Sequence, residues 1–126
     1  MDIVNKRNQT RVRVSLDVGI YDILNNKSFT GRIIDISKNG VSILADEEFP
    51  VNTPLSLTFT FEEAVYKNIP ADVVRGIKKQ NNKYFGSAVF SPDAKLQQQL
   101  EKSVKKVYLK NRLGLKQETL YNIYRP

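Results

Sequence analysis

LSLTFTF, residues 55–61, alternates strictly between large apolar residues and Ser or Thr. In an extended chain, successive side chains point to opposite faces, so this stretch has one apolar face and one hydroxyl face. A β-strand of this kind buries its apolar face only by joining a sheet that packs on a core. The earlier stretch VRVSLDVGI, residues 12–20, has the same period of two. Both stretches therefore predict half-buried β-strands.

Further short β patterns lie between these strands and after them. Apolar stretches occupy residues 29–36, 41–44, 65–69, 71–77 and 84–90, and turn-forming residues separate them at 25–28, 39–40, 50–54, 62–64 and 80–83. Pro70 marks an edge position or a bulge, because proline donates no hydrogen bond to a sheet. Short strands at this spacing predict a mainly β domain over residues 12–90, either a small barrel or a sandwich.

The hydrophobic period changes after residue 90. The sequence Ser-Pro-Asp at 91–93 suits a helix start, with Ser91 as the N-cap, a proline in the first turn and an acid at the positive end of the dipole. Apolar residues then recur at helical spacing from Leu96 to Tyr108. We predict a C-terminal helix over residues 91–114, with Gly114 as its stop. Residues 115–126 form a tail that either packs on the domain or makes a short helix.

Composition restricts the classes of function. At 126 residues the chain is expected to form one domain, and it has no cysteine and no histidine. Catalytic triads with histidine and zinc-thiolate sites are thereby excluded, and no paired carboxylates stand out, so we expect neither an enzyme nor a metal site. The net charge of +7 favours anionic partners. No apolar stretch is suited to a signal peptide or a membrane span, so we expect a cytoplasmic protein without membrane insertion.

Two arginines near the N-terminus form an R-x-x-x-R motif, RNQTR at residues 7–11. A guanidinium presents a planar fork of donors that suits phosphate oxygens and the O6/N7 edge of guanine, and its face stacks on purines. Arg7 and Arg11 on one flexible arm, residues 1–11, can therefore clamp a nucleotide. Taken alone, the pair is better explained as solubilising surface charge.

A second motif, D-x-S-x-x-G, lies between two apolar stretches as DISKNG at residues 35–40. Asn39-Gly40 predicts a hairpin turn because both residue types tolerate positive φ. Asp35 and Ser37 are either turn formers or ligand groups. As ligand groups, the carboxylate accepts from guanine N1–H and N2–H₂, the hydroxyl bonds base or phosphate, and Gly40 allows close approach.

In this order and context, the two motifs resemble the signature of the PilZ family, bacterial receptors for cyclic di-GMP, over roughly Lys6 to Phe90. The resemblance implies a six-stranded antiparallel β-barrel with a C-terminal α-helix, which periodicity alone does not distinguish from a sandwich. It also implies a ligand site formed by five residues, Arg7, Arg11, Asp35, Ser37 and Gly40.

Three more residues are secondary candidates by the same resemblance. Lys6 directly precedes the first arginine, where a cation in the family accompanies binding of two ligand molecules. Asn39 stands where the family often has a small residue. Arg75 lies where the family often has a basic strand residue, although an ordinary exposed arginine explains it as well.

A mechanism and two alternatives follow from this interpretation. We expect a stand-alone adaptor whose arm is mobile without ligand and becomes ordered against the barrel when cyclic di-GMP binds, which signals to an effector protein. The first alternative is a small barrel that binds single-stranded nucleic acid through basic and aromatic residues. The second is a barrel that binds no nucleotide and serves only in protein interaction. Retention of both motifs argues against the second.

Overall fold

A computed structural model gives the structure of the chain and describes residues 10–80 and 83–124. Six strands and one helix follow each other along it. The strands are β1 (Val12–Asp22), β2 (Lys27–Ile36), β3 (Gly40–Ala45), β4 (Pro54–Phe61), β5 (Ala64–Gln80) and β6 (Lys83–Phe90), and the helix is α1 (Ala94–Tyr124).

The six strands form a closed barrel in the order β1-β2-β3-β6-β5-β4, and β4 pairs back onto β1. Every pairing is antiparallel. The predicted six-stranded antiparallel barrel with a C-terminal helix is therefore confirmed. Closure satisfies the backbone groups that an open sheet would leave unpaired at its two edges.

The barrel interior holds the apolar faces that the period of two predicted. In β1, Val12, Val18 and Ile20 are buried while the residues between them are exposed or half-buried. In β4, all four apolar residues of LSLTFTF are buried. The fully enclosed side chains of the barrel include Ile33, Ile36, Ile43, Phe49, Leu55, Leu57 and Val73. Burial of this apolar surface is the main driving force for folding.

The β4–β5 connection is a two-residue turn in which Glu62 and Glu63 both have positive φ, at 49° and 69°. This geometry matches the twist of an antiparallel hairpin. The predicted break at Pro70 is a bulged region within one continuous strand, β5. Pro70 pairs with Ser56 of β4 but lies just outside the ladder to β6, so its missing N–H leaves no gap there.

The N-cap of α1 lies two residues later than predicted. Leu96 N–H donates to Asp93 Oδ1 at 3.1 Å, so Asp93, not Ser91, is the N-cap and the helix begins at Ala94. The backbone N–H of Ser91 instead bonds Pro70 O at 3.0 Å and extends the β5–β6 pairing. Ser91 therefore still belongs to the barrel.

The end of α1 also corrects the prediction. The helix continues through Gly114 to Tyr124, so a stop at residue 114 and a separate tail over 115–126 are wrong for the residues up to 124. A glycine inside a helix costs only about 1 kcal/mol relative to alanine, and the good helix formers Leu, Lys, Gln and Glu follow it.

One face of α1 closes one end of the barrel. Leu100 and Val104 are buried against the core, and Leu96 and Val107 are half-buried. The Tyr66 hydroxyl and Ser103 Oγ lie 3.1 Å apart and join β5 to the helix. Burial raises the pKa of Tyr66 above its ordinary value, and the hydrogen bond to Ser103 opposes this only in part. Across the described residues, no helix is both long and apolar enough to cross a bilayer.

Candidate functional site

The two sequence motifs meet through an ion pair. Arg11, which directly precedes β1, donates from Nη1 to Asp35 Oδ1 on β2 at 2.7 Å. The two side chains remain 43% and 30% exposed, so solvent and ligands reach both. A charge-assisted bond of this length links residues that are 24 positions apart in the sequence. Arg11 of the first motif and Asp35 of the second therefore share one surface of the barrel.

A tight turn joins β2 to β3 directly after Asp35. Ser37 N–H donates to Gly40 O at 2.9 Å, which leaves Lys38 and Asn39 as the two loop residues. The Ser37 side chain is fully buried, and its Oγ accepts from the backbone N–H of Asn39 at 3.2 Å. Ser37 thus acts first as a turn-forming residue, which was one of the two predicted roles.

Gly40 is required for a different reason from the one that the sequence suggested. Neither Asn39 nor Gly40 has positive φ. A Cβ at position 40 would instead lie 2.4 Å from the carbonyl oxygen of Ala88 and 3.2 Å from Val89 Cα on β6. The glycine therefore allows the backbones of β3 and β6 to approach each other closely.

Helix α1 contacts the same turn. Gln97 Nε2 donates to Asn39 Oδ1 at 2.8 Å, and Asn39 O accepts from Phe90 N–H, also at 2.8 Å. Lys38 Nζ lies 3.8 Å from Glu101 Oε2, one helical turn beyond Gln97. Asn39, a secondary candidate from the sequence, is therefore held from two sides.

A row of polar residues crosses the sheet at the level of Asp35, and it runs from exposed Arg13 through buried Ser42 to exposed Arg75. The register pairs Asp35 with Arg13 of β1 on one side and with Ser42 of β3 on the other. Ser42 in turn pairs with Ser87, and Ser87 pairs with Arg75. Bulges in β1–β2 and β5–β6 set this alignment.

Arg13 lies opposite Asp35 and was not among the predicted site residues. It is exposed, and it lies two residues after Arg11, on the outward face of the same chain segment. The period of two in VRVSLDVGI already placed position 13 on that outward face. That pattern contains no information on the strand register, which brings Arg13 opposite Asp35.

The remaining predicted residues lie farther away or outside the described chain. Arg75 is exposed, but it lies three strands from Asp35, or about 14 Å along the row. It does not share hydrogen bonds with the Arg11–Asp35 pair. Lys6 and Arg7 lie outside the described residues.

Two concave regions lie near this surface. The larger one, about 600 Å³, is lined by Asp17, Arg32, Asp46 and Lys83, which neutralise each other in the pairs Arg32–Asp17 and Lys83–Asp46. A smaller groove of about 390 Å³ runs between α1 and the turn, from Thr10 and Lys38 to Tyr108. Among the described residues, no group of three or more acidic side chains is placed to hold a metal ion.

The arrangement around Asp35 suits a ligand that carries both anionic groups and a base edge. Arg11 and Arg13 offer guanidinium donors within one strand of the Asp35 carboxylate. The carboxylate has two oxygens, of which Oδ1 is bonded to Arg11. Donors for phosphate and an acceptor for a base therefore lie side by side.

Comparisons with known proteins agree with this geometry. A family model described as the PilZ domain matches residues 5–106. The comparison with curated proteins finds no match. Among solved structures, the Bacillus subtilis inhibitor of motility, MotI/DgrA, is similar with a TM-score of 0.71 and 23% identity, over 84% of this chain and 53% of that one.

Two structures from Escherichia coli are also similar. YcgR in complex with c-di-GMP gives a TM-score of 0.74 with 15% identity, over 89% of this chain and 50% of that one. The PilZ domain of YcgR with c-di-GMP gives a TM-score of 0.66 with 14% identity, over 88% of this chain and 98% of that one. The chain thus spans about half the length of MotI/DgrA and of the longer YcgR structure.

Proposed function

The chain belongs to the PilZ family, and from this premise we propose that it is a receptor for cyclic di-GMP whose site is centred on Asp35 and Arg11. The observation that carries the proposal is the exposed Arg11–Asp35 ion pair, which brings one residue of each family motif onto one surface. The similar YcgR structures contain c-di-GMP, and this agrees with the proposed ligand.

Asp35 is proposed to bind a guanine base. Two carboxylate oxygens match the N1–H and N2–H₂ donors of guanine, and adenine lacks that pair of donors. For both oxygens to be used, Oδ1 has to exchange its bond with Arg11 for one with the base. The turn formed by Ser37 and Gly40 places the carboxylate at the end of β2 where a base can approach it.

Arg11 is then proposed to turn from Asp35 to a ligand phosphate, with Arg13 beside it and Arg7 reaching over from the arm. A charge-assisted bond to phosphate replaces the bond to the carboxylate, so Arg11 exchanges one anionic partner for another. This exchange is the proposed molecular event of the switch, and ordering of the arm over residues 1–11 accompanies it.

Three further features belong to the same proposal. Lys6 favours two ligand molecules per protomer, with no other cofactor. The proposed location is the cytoplasm, because the protein would meet an intracellular second messenger there. The output is a changed surface that an effector protein recognises.

Binding of single-stranded nucleic acid is the weaker alternative. Stacking platforms for bases need exposed aromatic rings next to cations. Phe49, Phe59, Phe61, Phe90 and Tyr66 are all buried in the core. Tyr21 and Tyr108 are exposed, but the Tyr21 hydroxyl bonds Asn26 at the β1–β2 turn and the Tyr108 ring on the helix is covered in part by Arg112.

Calorimetric titration with cyclic di-GMP tests the proposal, with cyclic di-AMP and GTP as competitor nucleotides. We expect Arg11→Ala and Asp35→Asn each to weaken binding by about 10- to 150-fold, the range for losing one charged hydrogen bond. Arg32→Ala and Asp17→Asn are matched controls, because that ion pair joins β1 and β2 at positions outside both motifs. We expect the controls to bind like the wild type.

No binding by the wild type, or equal losses in motif and control variants, would contradict a site at Asp35.

Ordering of the arm is tested separately. The chain has no cysteine, so Asn5→Cys carries a single spin label. We expect saturating ligand to slow the motion of the label, and an unchanged spectrum would rule out the arm-ordering step.

A further inference from the structure

Helix α1 contacts both loop residues of the second motif through two side chains on the same side of the helix. Gln97 and Glu101 are four positions apart and so lie on one side of the helix. They contact Asn39 and Lys38, the two residues of the β2–β3 turn, with N···O distances of 2.8 Å and 3.8 Å. The exposed ion pair contributes little by itself, so Gln97–Asn39 is the stronger of the two contacts.

The bond from Gln97 continues into the motif. Asn39 accepts from Gln97 through its side chain, and its backbone N–H donates to Ser37 Oγ at 3.2 Å. Ser37 N–H closes the turn on Gly40 O at 2.9 Å. A short chain of hydrogen bonds therefore runs from the helix, through Asn39, to the serine two residues beyond Asp35.

The opposite flank of α1 is tied to a different part of the barrel. Ser103 lies 3.1 Å from the Tyr66 hydroxyl on β5. Lys110 Nζ donates to Glu62 Oε1 in the β4–β5 turn at 3.0 Å. The helix thus bridges the motif turn on one side and the β4–β5 hairpin on the other.

From this geometry we infer that Gln97 is a positioning residue for the ligand site, and that α1 and the motif turn are energetically coupled. The inference rests on the proposed function, since the ligand is cyclic di-GMP. Gln97 holds Asn39, and thereby the turn that presents Asp35, in one arrangement. Because coupling is reciprocal, ligand at the turn also strengthens the docking of the helix.

Calorimetry on single variants provides the first test. We expect Gln97→Ala to weaken cyclic di-GMP binding about five-fold, the effect of one neutral hydrogen bond. Gln98→Ala is the matched control, because the same side chain one position along is exposed on the helix. We expect the control to bind as the wild type does.

A double-mutant cycle shows whether Gln97 acts through Asn39. We expect Gln97→Ala to have no further effect on affinity in an Asn39→Ala background, because the bond is already lost. Additive losses would overturn this route. If the wild type binds cyclic di-GMP and Gln97→Ala binds it with the same affinity, the inference alone is overturned. If the wild type does not bind, the proposed function and the inference are overturned together.

Hydrogen exchange separates positioning from plain structural support. In the wild type, we expect ligand to slow backbone exchange in the helical segment 94–112, which contains none of the proposed ligand residues. In Gln97→Ala we expect that ligand-dependent slowing to shrink while the barrel strands remain protected. Equal slowing in both proteins would refute coupling through Gln97.

Discussion

Replacing Gly40 with alanine tests the close approach of β3 and β6 at the ligand motif. The added Cβ would lie 2.4 Å from Ala88 O and 3.2 Å from Val89 Cα, and both neighbours are backbone atoms of β6. They cannot swing aside as the end of a flexible side chain can. The strands themselves therefore have to separate, or Gly40 has to shift out of register with Val89.

The size of the effect follows from the distances. Ordinary contact begins near 3.4 Å, so the two strands need to separate by about 1 Å at this point. Overpacking of this kind costs about 1–3 kcal/mol. We take about 2 kcal/mol, which corresponds to a fall in Tm of roughly 8 °C for a domain of this size.

Urea and thermal unfolding followed by circular dichroism measure this loss. Gly19→Ala is the matched control, since Gly19 also lies in a strand but its added Cβ would meet nothing nearer than Thr58 O at 3.8 Å. None of the described glycines has positive φ, so conformational freedom does not distinguish the two sites. We expect Gly19→Ala to leave stability unchanged or to raise it by up to about 1 kcal/mol.

The reasoning would be refuted if Gly40→Ala were as stable as the wild type or as Gly19→Ala. Such a result would mean that β6 retreats at no cost near Ala88. Gly31→Ala serves as a second check, because its Cβ would lie 2.8 Å from Leu44 O and so predicts a loss of the same kind.

Three further predictions concern the helix and its attachment. Burial raises the pKa of Tyr66, so the unfolded chain releases this proton at a lower pH than the folded chain does, and stability falls as the pH rises above about 10. In urea melts, the stability advantage of the wild type over Tyr66→Phe should therefore shrink between about pH 9 and about pH 11. Asp93→Ala should cost about 1 kcal/mol as the loss of an N-cap, and Ser91→Ala should cost little; equal losses in thermal melts would contradict the assignment of the cap. Leu100→Ala should cost about 2–5 kcal/mol because the side chain is fully buried, whereas Leu109→Ala, on the exposed side, should change the free energy of unfolding by less than about 0.5 kcal/mol.

Local patterns made much of the architecture predictable. The alternation in residues 12–20 and 55–61 correctly assigned the buried and exposed faces of β1 and β4. The change of period after residue 90 located the helix, and its apolar stripe is the face that packs on the barrel. These features depend on side-chain direction and hydrophobicity over a few residues, which a single sequence contains in full.

Helix ends were less predictable because several local signals compete. Both Ser91 and Asp93 are good N-caps, and only the pairing of Ser91 N–H with Pro70 O decides between them. Gly114 resembles a stop signal, yet the helix continues past it at a modest cost.

Some features of the candidate site were also predictable from local patterns, and others were not. By itself, the sequence determined which residues carry the motifs, the outward face of β1 and the presence of a turn near residues 39–40. Only the tertiary structure decided that Arg11 bonds Asp35, that Arg13 lies opposite Asp35, and that Gln97 holds Asn39. The physical reason is that register depends on bulges and on barrel closure, which join segments far apart in the chain. Such pairings follow from the packing of the whole domain, and no short pattern records them.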